Sequence, residues 1–307
     1  MANNVKAFIP EIYSQKLLRE SKEISDFKNN HCNNDWEGEI KNFGDTVRIS
    51  TPNAEAVTIG TGVVPATSDV IPSQIVMSID KTRNFQFKFN DVEQAQSQFN
   101  LVEGYMSIGN QKMLDEVNLE LEQHVVDQAL AGNIPEVGTP AAPIVTTFDD
   151  VNNVFNRIKR VLTQNKALSA AGFYTFKGSK EQAVQLAPVI TMGPVMYEGL
   201  MNSNKLTHPT VAGDEILYKG IAGQIAGLKI FQDTNIEKVT VAGLAQGAQV
   251  VIAGTKMAIT FAEQYSKVEK IRDPQTFADI GRALYLYGYK VTNPKSLVVA
   301  YVQPPVA

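Results

Sequence analysis

From Asn90 to Gly132 the chain carries one uninterrupted helical pattern of roughly forty residues, which at about 1.5 Å per residue is a rod of order 60 Å. It opens on a capping signal, Asn90-Asp91 with Glu93 in the first turn, and stops at Ala131-Gly132-Asn133 with Pro135 just beyond. Apolar residues recur at helical spacing through Val92, Ala95, Phe99, Val102, Met106, Met113, Val117, Leu121, Val125 and Ala129, forming a single stripe. A helix that long outruns the core of an ordinary compact domain, so the stripe must rest on an elongated sheet or on another subunit. A coiled-coil rod is the other way to use such a helix; Gly104, Gly109 and the lack of a sustained heptad speak against it.

The composition, 44% hydrophobic and 20% charged over 307 residues, is that of a globular chain long enough for two domains. A net charge of −4 and the absence of a densely basic window disfavour tight nucleic-acid binding. No apolar run has the length of a secretory signal core or a membrane span, so a cytoplasmic site of synthesis and no membrane partner are expected. Cys32 is the only cysteine, which rules out intrachain disulfides and a zinc site built from several cysteines.

Ahead of the long pattern, Pro10 to Lys28 reads as a short amphipathic helix on an arm. A turn at Phe43-Gly44-Asp45 then leads into a strand alternating Val47 and Ile49. Two strands near Val57–Ile59 and Ile75–Ile79 form a hairpin that needs a partner, since an isolated hairpin buries too little apolar area. Phe85, Phe87 and Phe89 alternate with Gln86 and Lys88 as a half-buried strand. Pro135 to Pro143 reads as a hinge or linker, followed by a helix capped by Asp149 or Asp150 and carrying Val151, Val154, Phe155, Ile158, Val161 and Leu162. A strand near Phe173–Phe176, helices over Glu181–Leu186 and Val195–Met201, and strands near Leu228–Phe231, Val239–Val241 and Gln249–Ala253 make a mixed second domain. Strands return at Met257–Phe261, Leu284–Val291 and Leu297–Val302.

Chemistry-bearing motifs are sparse. His31 and Cys32 are adjacent, yet nucleophile and base in a dyad come from distant segments, so Cys32 reads as an arm cysteine. Glu120, His124 and Asp127 share a helix face at metal-ligand spacing, and a hydrated helix face has the same pattern. Gly220 to Gly227 lacks the ending of a phosphate loop and is better explained by tight turning of the backbone. No catalytic residue, cofactor site or metal site is expected.

The order of parts, together with Phe8-Ile9-Pro10-Glu11-Ile12-Tyr13-Ser14, Trp36-Glu37-Gly38-Glu39-Ile40, Gly44-Asp45-Thr46-Val47, the stretch Gly223 to Ile230, and Val268 to Pro274 with Phe277-Ala278-Asp279 and Tyr287-Gly288, resembles the major capsid protein of tailed bacteriophages with the Hong Kong ninety-seven type fold. The resemblance spans almost the whole chain. It implies an α+β fold with an N-arm (1–51), an extended loop (52–83), a peripheral domain (84–142 and 262–292) with a spine helix over 91–131, and an axial domain (143–261) that 293–307 rejoins. It also implies a virion shell of pentamers and hexamers assembled in the bacterial cytoplasm around double-stranded DNA, with a portal. No long extension precedes the arm, so a separate scaffolding protein or none is implied, and no cross-linking Lys and Asn pair with its carboxylate matches.

An arm and a hairpin without cores of their own gain order on a neighbour. Val63, Val64, Val70, Ile71, Ile75 and Met77 are therefore expected at an assembly interface, and Gly44 with Asp45 at a structural turn. Two rivals remain: a tail-tube or other phage structural subunit, which would be dominated by β-structure and would not need the long helix, and a cytoplasmic enzyme, which would need a convergent polar site.

Overall fold

The computed structural model describes residues 25–34, 46–51, 61–62, 73–90, 101–129, 137–147, 150–165, 167, 174–176, 183–185, 188–202 and 223–304. In chain order the elements are α1 (Phe27–His31), β1 (Cys32–Asn33), β2 (Thr46–Thr51), β3 (Ser73–Ser78), β4 (Lys81–Asn90), α2 (Leu101–Asp127), β5 (Ile144–Val145), α3 (Val151–Gln164), β6 (Tyr174–Phe176), β7 (Ala183–Gln185), β8 (Val189–Met192), α4 (Pro194–Met201), β9 (Gln224–Ile225), β10 (Leu228–Gln232), β11 (Gln249–Gly254), β12 (Ile259–Arg272), β13 (Ala278–Val291) and β14 (Leu297–Gln303). A short 3-10 turn covers Asn235–Lys238.

Two sheets organise the chain. The six-stranded sheet runs β5-β14-β11-β8-β10-β9 and the four-stranded sheet β1-β12-β13-β4. The runs Leu297–Val302 and Val250–Ala253 are apolar at almost every position because the larger sheet is covered on both sides. Val298, Ala300, Val302, Val251 and Ala253 pack with Val154, Phe155, Ile158 and Leu162 of α3. Leu297, Val299, Tyr301, Val250 and Ile252 turn the other way, into the core that holds Val117, Leu121 and Val125 of α2.

The four-stranded sheet has α2 on one face. Phe85 and Phe87 are half-buried and Gln86 and Lys88 exposed, as the alternation predicts. Gly109 lets the helix backbone settle on the Phe85 ring, where a Cβ would lie 2.5 Å from a ring carbon. The glycine that interrupts the helical pattern is thus a contact point. On the opposite face, Leu286 and Ala262 meet Val47, Ile49, Met77 and Ile79 of the β2–β3 hairpin. Gly288 admits the hairpin's chain, since a Cβ there would sit 2.4 Å from the Ser78 carbonyl oxygen.

Several expectations change. The helical run expected from Asn90 to Gly132 appears as the 27 residues of Leu101–Asp127, about 40 Å long. Asn90 ends β4, paired with Ala278, and 91–100 lie outside the described residues. At the far end the bonding tightens to Ala129 N–H donating to the Val126 carbonyl, which closes the helix before Gly132. The helix expected over Glu181–Leu186 is the strand Ala183–Gln185, paired with Tyr174–Phe176; ladder pairing outweighs local propensity there. Val239–Val241 is not a strand but the irregular exit of the 3-10 turn. The hairpin partner of Ser73–Ser78 is Thr46–Thr51, while Val57–Ile59 lies outside the described residues. Within the Pro135–Pro143 segment, Val137 is fully buried and its carbonyl accepts from Tyr301 N–H, so that part is docked on the large sheet. The arm helix is described only as Phe27–His31.

Candidate functional site

The β2–β3 hairpin is the first candidate, because apolar residues there were expected to await a neighbour. Met77 is corrected: it is 0% exposed, sealed by Val47, Ile49, Ile79 and Leu286 of its own chain, so its burial belongs to folding. Ile75 is half-buried at the edge of the same cluster, and Val76, on the other side of the strand, is 50% exposed. Val63, Val64, Val70 and Ile71, and the turn residues Gly44 and Asp45, lie outside the described residues.

The helix α2 carries two polar constellations beside its apolar stripe. On the flank toward the four-stranded sheet, Glu120 accepts from Lys81 Nζ at 2.5 Å, Arg83 at 2.9 Å, the Tyr287 hydroxyl at 2.5 Å and the Tyr289 hydroxyl at 3.0 Å. Burial alone would push this carboxyl up, but hydrogen bonds from Lys81, Tyr287 and Arg83 override it and hold the group at about 2. Burial and the Glu120 contact push the Tyr287 hydroxyl up. The face carrying Glu120 is therefore packed on tyrosines and only partly open to solvent. His124 lies against the Tyr289 ring at 4.8 Å, and Asp127 is exposed and accepts from Gln123, so the three side chains at metal-ligand spacing do not converge. Among the described residues no group of three or more His, Cys, Asp or Glu is placed to hold a metal ion.

On the other flank, the buried Asn118 and Glu122 and the partly buried Asp115 form a seam with two separate segments. Asn118 donates to the Ser25 carbonyl at 2.6 Å and accepts from Lys28 N–H at 3.3 Å. Asp115 accepts from the Asn235 amide at 2.7 Å. Asp233, at the end of β10, accepts from the Ser25 hydroxyl and from Asn235 N–H at 2.9 Å. Glu122 is wholly buried, and no donor among the described residues reaches either of its carboxyl oxygens.

His31 and Cys32 are both buried, with the imidazole Nε2 2.7 Å from the Thr191 hydroxyl. Burial, helped by Lys256, pushes the histidine down to about 3, and burial pushes the thiol up, so this neighbouring pair is neutral core material. The glycine-rich stretch is described from Gly223: Ala226 and Gly227, at φ 51° and 85°, form the two-residue turn between β9 and β10. Beyond the hairpin, the outer face of the four-stranded sheet opens into a groove of about 360 Å³ lined by Asn84, Gln86, Glu269, Arg282 and Leu284. At the far tip of the β12–β13 ribbon, Asp273 takes Lys88, the Thr276 hydroxyl and Gln275 N–H, and Phe277 beside it is 83% exposed. No sequence reasoning singled out Phe277 as a contact residue.

No family model matches the sequence, and no characterised protein matches it either. Solved structures do match, nearly end to end. The chain aligns over 98% of its length with 98% of a chain from Mycobacterium phage Che8, with a TM-score of 0.73 at 22% identity. It aligns over 98% with 95% of a chain from the capsid structure of cyanophage P-SCSP1u, with a TM-score of 0.70 at 12% identity. A chain of the mature capsid of bacteriophage PhiM1 gives 96% and 92% coverage, a TM-score of 0.65 and 14% identity. At these identities the likeness is one of fold: the chain has the mixed α+β fold found in these phage structures.

Proposed function

We propose that this chain is the major capsid protein of a tailed bacteriophage, a subunit whose copies close into the shell around double-stranded DNA. The observation that carries the reading is the end-to-end correspondence with chains of phage capsid structures, in which almost nothing is left over on either side. The finer reading is the Hong Kong ninety-seven type fold: α2 as the spine helix, 1–51 as N-arm, 52–83 as extended loop, 84–142 with 262–292 as peripheral domain, and 143–261 as axial domain. The place of β14 inside the six-stranded sheet, between β5 and β11, supports assigning 293–307 to that axial domain. Copies would meet as pentamers and hexamers, with a portal and a separate scaffolding protein as further partners, after synthesis in the host cytoplasm. Assembly rather than turnover is the work of such a subunit.

Heterologous contacts need different surfaces on one subunit. Among the described residues, the open groove beside Arg282 and the tip carrying Phe277 are surfaces that folding of one chain leaves available. The test is to replace residues 54–71 by a short Gly and Ser linker, keeping both strands of the hairpin root. The expected variant melts cooperatively like the parent, because loop closure depends weakly on length, but forms no closed shells in electron microscopy. Normal shells from this variant, or monomers or tubes from the parent, would overturn the reading.

A further inference from the structure

Glu122 stands out among the described residues: its carboxyl is wholly buried on α2, and no donor among them reaches either oxygen. An ionised carboxylate in such a place lacks both water and a counter-charge. The groups around it make this worse. From the segment after β10 comes Asp233, whose carboxylate also holds Ser25 and Asn235 N–H; from α2 itself comes Asp115. The cation that acts on Glu122 among the described residues, Lys238, donates at 2.7 Å to the Asn235 side chain. From the segment before α1 comes the neutral Ser25, while Lys28 is turned to Glu263.

A proton resolves the conflict. With Glu122 protonated, its O–H donates to Asp233, and two acceptors that would repel become donor and acceptor. We propose that Glu122 and Asp233 share one proton and so form a latch that joins α2 to the end of β10 and to Ser25, closed when the proton is present and released in alkaline solution. Burial first, then the charge of Asp233, push the Glu122 carboxyl up to about 9. The latch rests on the folded chain alone and is independent of the capsid reading.

The linkage sets the test. Closed, Glu122 holds its proton up to about pH 9; opened to water, it releases it near an ordinary carboxylate value. Opening therefore becomes about tenfold easier for each pH unit within that window and levels off above it. Hydrogen exchange of the full-length soluble subunit, corrected for intrinsic rates, reads this directly. Protection of 25–31 and 233–240 is expected to fall about fiftyfold from pH 7 to pH 9 in the parent. Glu122→Gln, which keeps shape and supplies a permanent donor, should be flat. Asp233→Asn should still slope but level off at lower pH, because the second carboxylate that raises Glu122 is gone. Equal slopes in parent and Glu122→Gln overturn the latch. If Glu122→Gln does not fold, Asp233→Asn decides, and a levelling point unchanged from the parent overturns it.

Discussion

In the six-stranded sheet, successive residues of β14 are buried alternately against α3 and against α2, so both faces are covered from within one chain. In the four-stranded sheet, β13 buries Tyr285, Tyr287 and Tyr289 under α2, but among the described residues its other face is covered only where the hairpin root lies, at Leu286 and Gly288. Farther out, Arg282 is exposed and the groove begins. Among the described residues, folding covers both faces of one sheet and leaves the other half dressed. A substitution should therefore be felt in stability near the first sheet and in contacts with other copies near the distal end of the second.

The largest effect tests the closed side. Phe155→Ala, at a fully buried site between α3 and the six-stranded sheet, should destabilise by about 3–5 kcal/mol in urea unfolding. A loss below 1 kcal/mol would break the contrast. Next is the hairpin root: Gly288→Val drives a side chain into the Ser78 backbone and should cost about 3 kcal/mol, with m unchanged.

Glu120→Gln comes third, at about 2 kcal/mol near neutral pH, since Lys81 and Arg83 lose their counter-charge. Its pH dependence sharpens the point. Because the folded-state carboxyl is held down at about 2, its contribution is complete above the ordinary carboxylate value and lost as pH falls toward 2. The urea midpoints of parent and variant should therefore converge between about pH 4.5 and 2.5. The smallest effect lies at the tip. Phe277→Ser should move stability by less than about 0.5 kcal/mol, yet reduce the yield of shells measured by sedimentation. An unaltered shell yield would leave the open side of the comparison without its contact residue.

Much of this was legible. The alternation of Phe85 and Phe87, the apolar run at Leu297 and the stripe Met113, Val117, Leu121 and Val125 report burial directly, because period and face are linked by local geometry. The partner of Ser73–Ser78 was not, since pairing with Thr46–Thr51 closes a long loop that no local signal marks. Nor were the roles of Glu120 and Glu122. Two residues apart, they point to opposite flanks of the helix; one meets cations and tyrosines, the other a carboxylate. A signal for Glu120 did exist: Lys81 with Arg83 and Tyr287 with Tyr289 repeat at strand period, so each pair shares one face. Its meaning depends on knowing that the helix lies on that face.

The register of β12 against β13 shifts between Tyr265 and Lys267. Before the shift, Phe261 and Glu263 oppose Tyr289 and Tyr287; after it, Glu269 opposes Arg282 and Lys270 opposes Gly281. One extra residue therefore acts as a parity switch along the ribbon. It sends Glu269 to the groove side, where it binds Arg282, and Lys270 and Arg272 to the side of Asp279. Deleting Ser266 would therefore make the ladder regular while keeping Glu269 opposite Arg282 and Lys270 opposite Gly281, so the charge pattern of the tip would survive and only the local twist of a bulge would be lost.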